Sequence, residues 1–311
     1  SPRSMSLDAA TAQAGPARTL RRAGWGRRAA PYLLIAPAFL FLLTFTFWPV
    51  VYSLILSTLD WQLGFARRSF VGLGNYAELF GSRTFQNALR VTVLYTVVTT
   101  LGSIVLGLAL ALAIHRVTRL QAMWQALFFL PVASTMAAMA VVFRFMFDTR
   151  LGIVNETLAL VGGPRIDWFN GDASALFAVI IVGVWSSAGY AMVLFLAGLT
   201  TVPRQLYDAA AIDGANGWQQ LRWIMWPMLS PTTIFVVVII TLRSLENFDS
   251  VKVLTDGGPL RATQVLSHLL YLEGFRYFET GYASALATVF FVMIMSVAFL
   301  QMRAERRVHY E

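Results

Sequence analysis

VPRQLYDAAAIDGANGWQQLRWIMWPMLSP, from Val202 to Pro231, lies between two long apolar stretches and has a pattern of its own. A connection that only joined two membrane helices would need a few polar residues, and this one is much longer. Pro203 can begin a helix and Gly214 can end one, with small and apolar side chains between them. These signals predict a short helix from about Gln205 to Asp213, which a groove in a partner protein could receive. The alternative is an amphipathic hairpin on the membrane surface without a partner.

On either side of this segment the chain is unusually apolar. Of its 311 residues, 57% are hydrophobic and 13% are charged, whereas soluble globular proteins carry about 25% charged residues. A helix needs about 20 apolar residues to cross a bilayer, and only helices or closed barrels satisfy their backbone groups there. We therefore predict an all-α integral membrane protein with six transmembrane helices. The uncharged stretches are Leu33–Thr58, Val91–Ile114, Gln121–Phe143, Ala173–Pro203, Trp223–Leu242 and Thr280–Met302.

Charge divides the chain into three predicted parts. An Arg-rich arm covers residues 1–30, a six-helix transmembrane domain covers 31–303 and includes the loop 203–231, and a short tail covers 304–311. Arginines flank the apolar stretches on the side that holds both termini and this loop, and acidic residues concentrate on the other side. Because positively charged flanks stay in the cytoplasm, we predict that both termini and the loop are cytoplasmic.

Signatures of catalysis and of metal binding are missing from the sequence. There is no cysteine, and no G-x-x-x-x-G-K-[ST], H-E-x-x-H or G-x-S-x-G pattern, so thiolate chemistry and the familiar nucleotide, zinc and hydrolase sites are excluded. His115, His268 and His309 are isolated along the chain. We expect no catalytic residue, no metal site and no cofactor bound by this chain.

Three other classes of protein fit the sequence less well. A nucleic-acid-binding protein would cluster its basic residues on one face, whereas here they flank apolar stretches. A membrane-embedded lipid-modifying enzyme would need acids, histidines or a metal at the interface. An ion-coupled secondary carrier would place acidic residues at the membrane midplane, and Glu246 alone offers thin support for that.

The pattern D-A-A-x-x-D-G-A at residues 208–215, followed by an isoleucine and a proline, resembles the EAA loop of bacterial ABC importer permeases. In that family the loop forms a coupling helix, which sits in a groove of the ATP-binding subunit. Asp208 stands where glutamate is usual and Trp226 where leucine commonly precedes the proline, and both keep the charge or the apolar character. The resemblance implies these ATPase-coupling residues: Asp208, Ala209, Ala210, Asp213, Gly214, Ala215, Ile224 and Pro227.

Two further segments are similar to the carbohydrate-uptake branch of this family, whose permeases transport oligosaccharides or glycerol-3-phosphate. They are F-V-G-L-G-N-Y at Phe70–Tyr76 and F-D…L-T-D-G-G-P at Phe248–Pro259, with Ala262 and Thr263 beyond it. The resemblance implies a type I permease fold in the bacterial plasma membrane and import of a sugar or sugar-like solute. It also implies a second permease, two ATP-binding subunits that hold ATP and Mg²⁺, and an extracytoplasmic substrate-binding protein as partners.

Polar and aromatic residues within the apolar stretches are the candidates for the solute path. Trp185 and Ser187 offer an aromatic surface and a hydroxyl, although serine in a membrane helix is also a packing residue. Arg243 and Glu246 stand three residues apart, so they contact the solute or pair with each other. Arg144, near the outer end of its stretch, is expected to snorkel or to bind a ligand. The predicted path residues are Trp185, Ser187, Tyr190, Arg243, Glu246 and Asn247.

Overall fold

The computed structural model describes residues 25–117 and 119–308, with side chains from 31 to 303 within those ranges. Most of the predicted arm and residues 309–311 of the predicted tail lie outside the described residues. The chain divides into two compact units, the first ending at Tyr52. In its described part, the first unit is helical throughout: α1 (Trp25–Leu42), a π-helical turn (Leu43–Phe47) and α2 (Trp48–Leu56), whose last residues belong to the second unit.

Three long helices form the frame of the second unit. They are α4 (Arg83–His115), α8 (Asp172–Thr200) and α15 (Thr280–Val308). Together with the stretch Pro31–Leu56, each contains enough consecutive apolar residues to cross a membrane. These four segments correspond to the first, second, fourth and sixth of the predicted spans.

The third and fifth predicted spans are each broken into two helices. The axes of α5 (Gln121–Ala133) and α6 (Met136–Met146) differ by 100°, and those of the segment 217–228 and α12 (Ser230–Leu245) differ by 68°. The described residues thus provide up to six spans, if each bent pair counts as one. Proline is the physical reason for the breaks, because it lacks a backbone N–H: Pro131 precedes the first break, and Pro227 and Pro231 flank the second.

Short elements complete the connections. The segment between α8 and α12 contains α9 (Arg204–Ile212), α10 (Gly217–Gln220), a π-helical turn (Leu221–Met225) and α11 (Trp226–Met228). On the opposite, predicted outer side, the chain forms an antiparallel pair, β1 (Leu59–Asp60) and β2 (Ser69–Phe70), and α3 (Gly74–Gly81), α7 (Ile153–Leu160), α13 (Asp249–Leu254), α14 (Leu266–Tyr271) and a π-helical turn (Leu272–Arg276).

Close packing of α4 against α8 forms the centre of the second unit. Gly107 on α4 faces Ala191 on α8, where an added Cβ would lie 2.5 Å from the Cβ of Ala191. Small residues at this contact let the two backbones approach, which is how membrane helices gain packing contacts. Two clusters of buried side chains lie along this helix pair, one around Tyr95 and Val179 and the other around Phe195 and Leu229.

Candidate functional site

A polar cavity of about 300 Å³ lies where α4, α6, α8 and α12 meet. Its wall combines hydroxyl, amide and charged groups with two aromatic rings, inside a bundle that is otherwise apolar. Polar groups at membrane depth are retained where they line a path or bind a ligand. We call this space the central cavity; its lining residues are Tyr95, Met136, Gly183, Ser186, Ser187, Arg243, Ser244, Glu246, Asn247, Phe248 and Asp249.

Four of the six predicted path residues line the central cavity: Ser187, Arg243, Glu246 and Asn247. Tyr190 stands beside the wall and holds one of them, because the Arg243 guanidinium lies 5.3 Å from the centre of its ring. Such a contact attracts the cation to the ring face. Arg243 and Glu246, which the sequence allowed to pair, form no ion pair in the structure. Both charges therefore stay available to the cavity.

Trp185 does not line the central cavity. Its ring packs edge-on against Phe143, with the ring centres 4.8 Å apart, and it borders a separate apolar pocket formed with α4 and α5. The adjacent Ser186 and Ser187 face the central cavity instead. Successive helix positions point about 100° apart, so the aromatic side chain and the hydroxyls of this segment serve different surfaces.

The aromatic surface of the cavity comes from Tyr95 and Phe248, which sequence reasoning missed. Tyr95 is 2% exposed, yet it reaches the cavity because Gly183 on α8 has no side chain: a Cβ there would lie 2.3 Å from the Tyr95 hydroxyl oxygen. Nothing in the sequence singles out one tyrosine of a long apolar helix. In the sequence, the adjacent serines Ser186 and Ser187 on α8 were the signal that pointed to this cavity.

Two polar atoms in the cavity wall have no hydrogen-bond partner. They are the Ser244 hydroxyl and the Asn247 side-chain nitrogen. The Asn247 side-chain oxygen, by contrast, accepts a 2.7 Å bond from the Ser250 hydroxyl, which fixes the amide. A buried donor without a partner is costly. Both residues line the cavity, and these two atoms are buried within its wall.

The segment 203–231, which we call the coupling segment, begins with the helix that the sequence predicts. α9 spans Arg204–Ile212, and the chain leaves it through Gly214 at φ +74°. The Ala215 N–H donates to the Ala210 carbonyl at 2.9 Å and the Gly214 N–H to the Ala211 carbonyl at 3.1 Å. These bonds close the helix end in the way that a left-handed glycine permits.

Two faces of α9 have different surroundings. Tyr207 and Ala210 face the helix bundle, where Tyr207 packs with the cluster around Phe195. Partial burial raises the pKa of the Tyr207 phenol. On the other face Asp208 is exposed and Ile212 is 87% exposed. A short helix that packs against the bundle on one face and is exposed on the other can move as a rigid unit when a force acts on its exposed face.

The other predicted coupling residues lie at different places along the segment. Ala209, Asp213 and Gly214 are exposed on or beside α9, and Ala215 is half-buried just after it. Ile224 is half-buried in the π-helical turn, and Pro227 is exposed at the bend that leads into α12. The structure thus brings together the residues of the first part of the pattern, and places the last two where the coupling segment turns into the membrane helix.

A family model described as a binding-protein-dependent transport system inner membrane component matches residues 103–310. The chain belongs to this family. It is thus an importer permease, a transport subunit, as the coupling segment predicted, and the ATPase activity of such importers resides in a separate subunit. Membership supports this prediction and gives no support to a secondary carrier or a lipid-modifying enzyme.

Curated relatives match this permease over most of its length. It is 34% identical over 277 residues to the probable ABC transporter permease protein YurN of Bacillus subtilis, which covers 88% of this chain and 94% of the relative. It is 33% identical over 285 residues to the sn-glycerol-3-phosphate transport system permease protein UgpA of Agrobacterium fabrum, with 90% and 96% covered. The permease therefore aligns with these relatives over nearly their whole length.

Solved structures show the same fold. One chain of a bacterial alginate ABC transporter, in complex with an alginate pentasaccharide-bound periplasmic protein, superposes with a TM-score of 0.80 at 22% identity. The match covers 93% of this permease and 99% of that chain. The predicted type I permease fold is confirmed.

Arg144 of the permease does not snorkel freely. Its guanidinium donates a 3.0 Å hydrogen bond to the Val253 carbonyl at the end of α13. A cation at the C-terminal end of a helix is favourable because the last carbonyls lack partners. Arg144 thus ties α6 to the short helix whose first residue, Asp249, lines the central cavity.

Among the described residues, no group of three or more His, Asp or Glu side chains is arranged to hold a metal ion.

Proposed function

We propose that this permease imports a sugar or sugar-like solute as one half of a transmembrane pair. In this proposal a second permease completes the path, and two ATP-binding subunits hold ATP and Mg²⁺ on the cytoplasmic side. A substrate-binding protein delivers the solute from outside. Both termini and the coupling segment lie in the cytoplasm. Closure of the ATPases moves the coupling segments and turns the central cavity from inward-facing to outward-facing.

The observation that carries the proposal is that the coupling segment is exposed on one face and packed against the bundle on the other. Apolar Ile212 is 87% exposed and Trp218 is 72% exposed, although both stand in a loop outside the apolar spans. Together they give this face an apolar surface that a groove in a partner protein would cover. On its other face the segment packs through Tyr207 into the same buried cluster as Phe195 and Leu229, which belong to the bundle. A force applied at Ile212 is therefore delivered to packed helices.

A charge placed on the open face of α9 tests this role. Ile212→Glu puts a carboxylate into the surface proposed to meet the ATPase, and we expect at least a tenfold loss of ATPase subunits co-purifying with the permease, since burying an unpaired charge costs several kcal/mol. Leu151→Glu is the matched control, because Leu151 is 89% exposed on the opposite side. ATPase retained equally by both variants would contradict the proposed coupling.

The charges of the central cavity favour a neutral solute within the proposed class. One cation, Arg243, faces two carboxylates, Glu246 and Asp249. A phosphate group would meet more negative than positive charge there, and like charges at short range repel. The polar side chains of Ser186, Ser187 and Asn247 line the cavity and suit the hydroxyl groups of a saccharide, and aromatic Phe248 offers an apolar surface for a sugar ring. We infer a neutral oligosaccharide over glycerol-3-phosphate.

Transport by the complete reconstituted complex tests the cavity and the solute together. Neutral oligosaccharides and sn-glycerol-3-phosphate are offered as radiolabelled probes, with ATP inside the vesicles required for activity. Asn247→Leu removes one fixed amide, so we expect uptake of the neutral probe to fall about tenfold, the worth of one to two buried hydrogen bonds. Asn170→Leu, in an exposed outer loop, is the control. Uptake of glycerol-3-phosphate alone would contradict the neutral solute.

A further inference from the structure

A layer formed by Phe248 and His268 connects the wall of the central cavity to the wall of a second polar space on the predicted outer side. This outer pocket, of about 380 Å³, is lined by Asp256, Gly257, Gln264 and Arg276 among others. Phe248 belongs to the wall of the central cavity. Between Phe248 and the outer pocket stands the imidazole of His268, which is fully buried.

His268 contacts both sides of this layer. Its ring stacks on Phe248, with the centres 6.1 Å apart and the planes 28° apart. Its Nε2 lies 3.1 Å from a carboxylate oxygen of Asp256, which lines the outer pocket. The ring also fills the space beside Gly257, where an added Cβ would come within 3.0 Å of it. One residue therefore bridges the two cavities.

We infer that His268 is a positioning residue: with Asp256 it forms a latch that holds Phe248 in this layer. Release of the latch joins the outer pocket to the central cavity. The inference rests on the proposed function, because it takes the central cavity as the solute path. It assigns the outward opening of that path to named side chains. The solute would enter where Phe248 withdraws.

The backbone around the latch supports a held conformation. Asp256 adopts φ +49°, in the left-handed region that residues other than glycine visit rarely, aspartate less rarely than most. Its carboxylate also accepts a 2.7 Å bond from Lys252 and lies 3.9 Å from the Arg276 guanidinium. A sparsely populated conformation persists where its surroundings hold it, and such residues are frequent in switch regions.

The latch depends on the protonation state of His268. Burial lowers the pKa of His268, an effect that the hydrogen bond to Asp256 only partly opposes, and the bond from Lys252 lowers the pKa of Asp256. The neutral ring donates through Nε2, and Nδ1 is buried without a partner. The charged or titratable groups around the ring are Lys252, Asp256, Tyr271 and Arg276.

The sign of the pH effect follows from the lowered pKa. A ring that leaves the layer regains water and a pKa near the ordinary value of about 6.5. The open state therefore binds the proton more tightly than the latched state, so acidification below about pH 6.5 favours opening. Two of the surrounding groups, Lys252 and Arg276, are cationic and add to this preference.

Thiol labelling of the complete transporter tests the latch without a solute. The chain contains no cysteine, so Ser186→Cys places a single thiol of this chain in the central cavity. A membrane-impermeant, quaternary-ammonium methanethiosulfonate is added outside right-side-out vesicles without ATP. We expect His268→Leu to speed modification of this thiol about tenfold, the worth of one charged hydrogen bond. His268→Gln, which keeps a donor near the Nε2 position, should stay close to the latched rate.

Two further variants keep the test decisive. Asp256→Ala removes the acceptor from a half-exposed position, so it should speed labelling even where His268→Leu impairs folding. Leu151→Cys, fully open to the outside, gives the reference rate at each pH, since it corrects for thiol ionisation. The rate at Ser186→Cys relative to this reference should rise on acidification with His268 present, and stay constant with His268→Gln.

Two results would overturn the inference. One is an equal labelling rate of Ser186→Cys with His268, with His268→Leu and with Asp256→Ala; the other is the same pH response with His268 and with His268→Gln. His115→Gln is the control for histidine substitution, because His115 ends α4 on the predicted cytoplasmic side. Failure here is distinguishable from failure of the proposed function: the latter is judged by ATP-dependent uptake, whereas labelling needs neither ATP nor solute.

Discussion

Single side chains decide how closely α4 and α8 approach, and Gly107 is the sharpest case. In Gly107→Ala the new Cβ would lie 2.5 Å from the Cβ of Ala191 and 3.0 Å from the Ala188 carbonyl oxygen, so the helices must separate. We expect a loss of about 1–3 kcal/mol, typical of overpacking, seen as a lower melting temperature of the detergent-solubilised transporter. Gly81→Ala has open space within 4 Å and should not lower it; equal effects would refute the close contact.

The same scale shows why the cavity could be predicted only in part. Ser187, Arg243 and Asn247 stood out because polar groups are rare in apolar helices. Trp185, predicted for the path, packs against Phe143 and does not line the central cavity, because α8 is apolar on several of its faces. Without an amphipathic period the rotation of a helix about its axis cannot be derived from its sequence. Tyr95 was missed for the same reason.

At the scale of elements, local signals served better than hydropathy. α9 was predicted to within a residue at each end, because Pro203 and Gly214 act through their own backbone geometry. The breaks after Ala133 and at Leu229 were not predicted. Apolar length reports how much chain lies in the membrane and says nothing of the direction of its axis, and proline is tolerated in many unbroken membrane helices. Packing against α8 and α13 determines where the halves of such a span lie.

For the whole molecule, composition and the six apolar stretches were enough to predict the architecture, and the orientation is the remaining expectation. Both termini and the coupling segment are proposed to face the cytoplasm, on the strength of the flanking arginines. Trp218→Cys and Leu151→Cys report on opposite sides, because the two side chains are 72% and 89% exposed and neither substitution removes a buried contact.

In right-side-out vesicles that carry the permease without its ATPase subunits, we expect an impermeant maleimide to label Leu151→Cys at once and Trp218→Cys only after the membrane is opened with detergent. Because the chain has no cysteine of its own, each signal comes from one position. The reverse pattern would place the coupling segment outside, away from ATP, and the proposed coupling would then be impossible. Protection of Trp218→Cys in opened vesicles that retain the ATPase subunits, lost with Ile212→Glu, would locate the partner on the same surface.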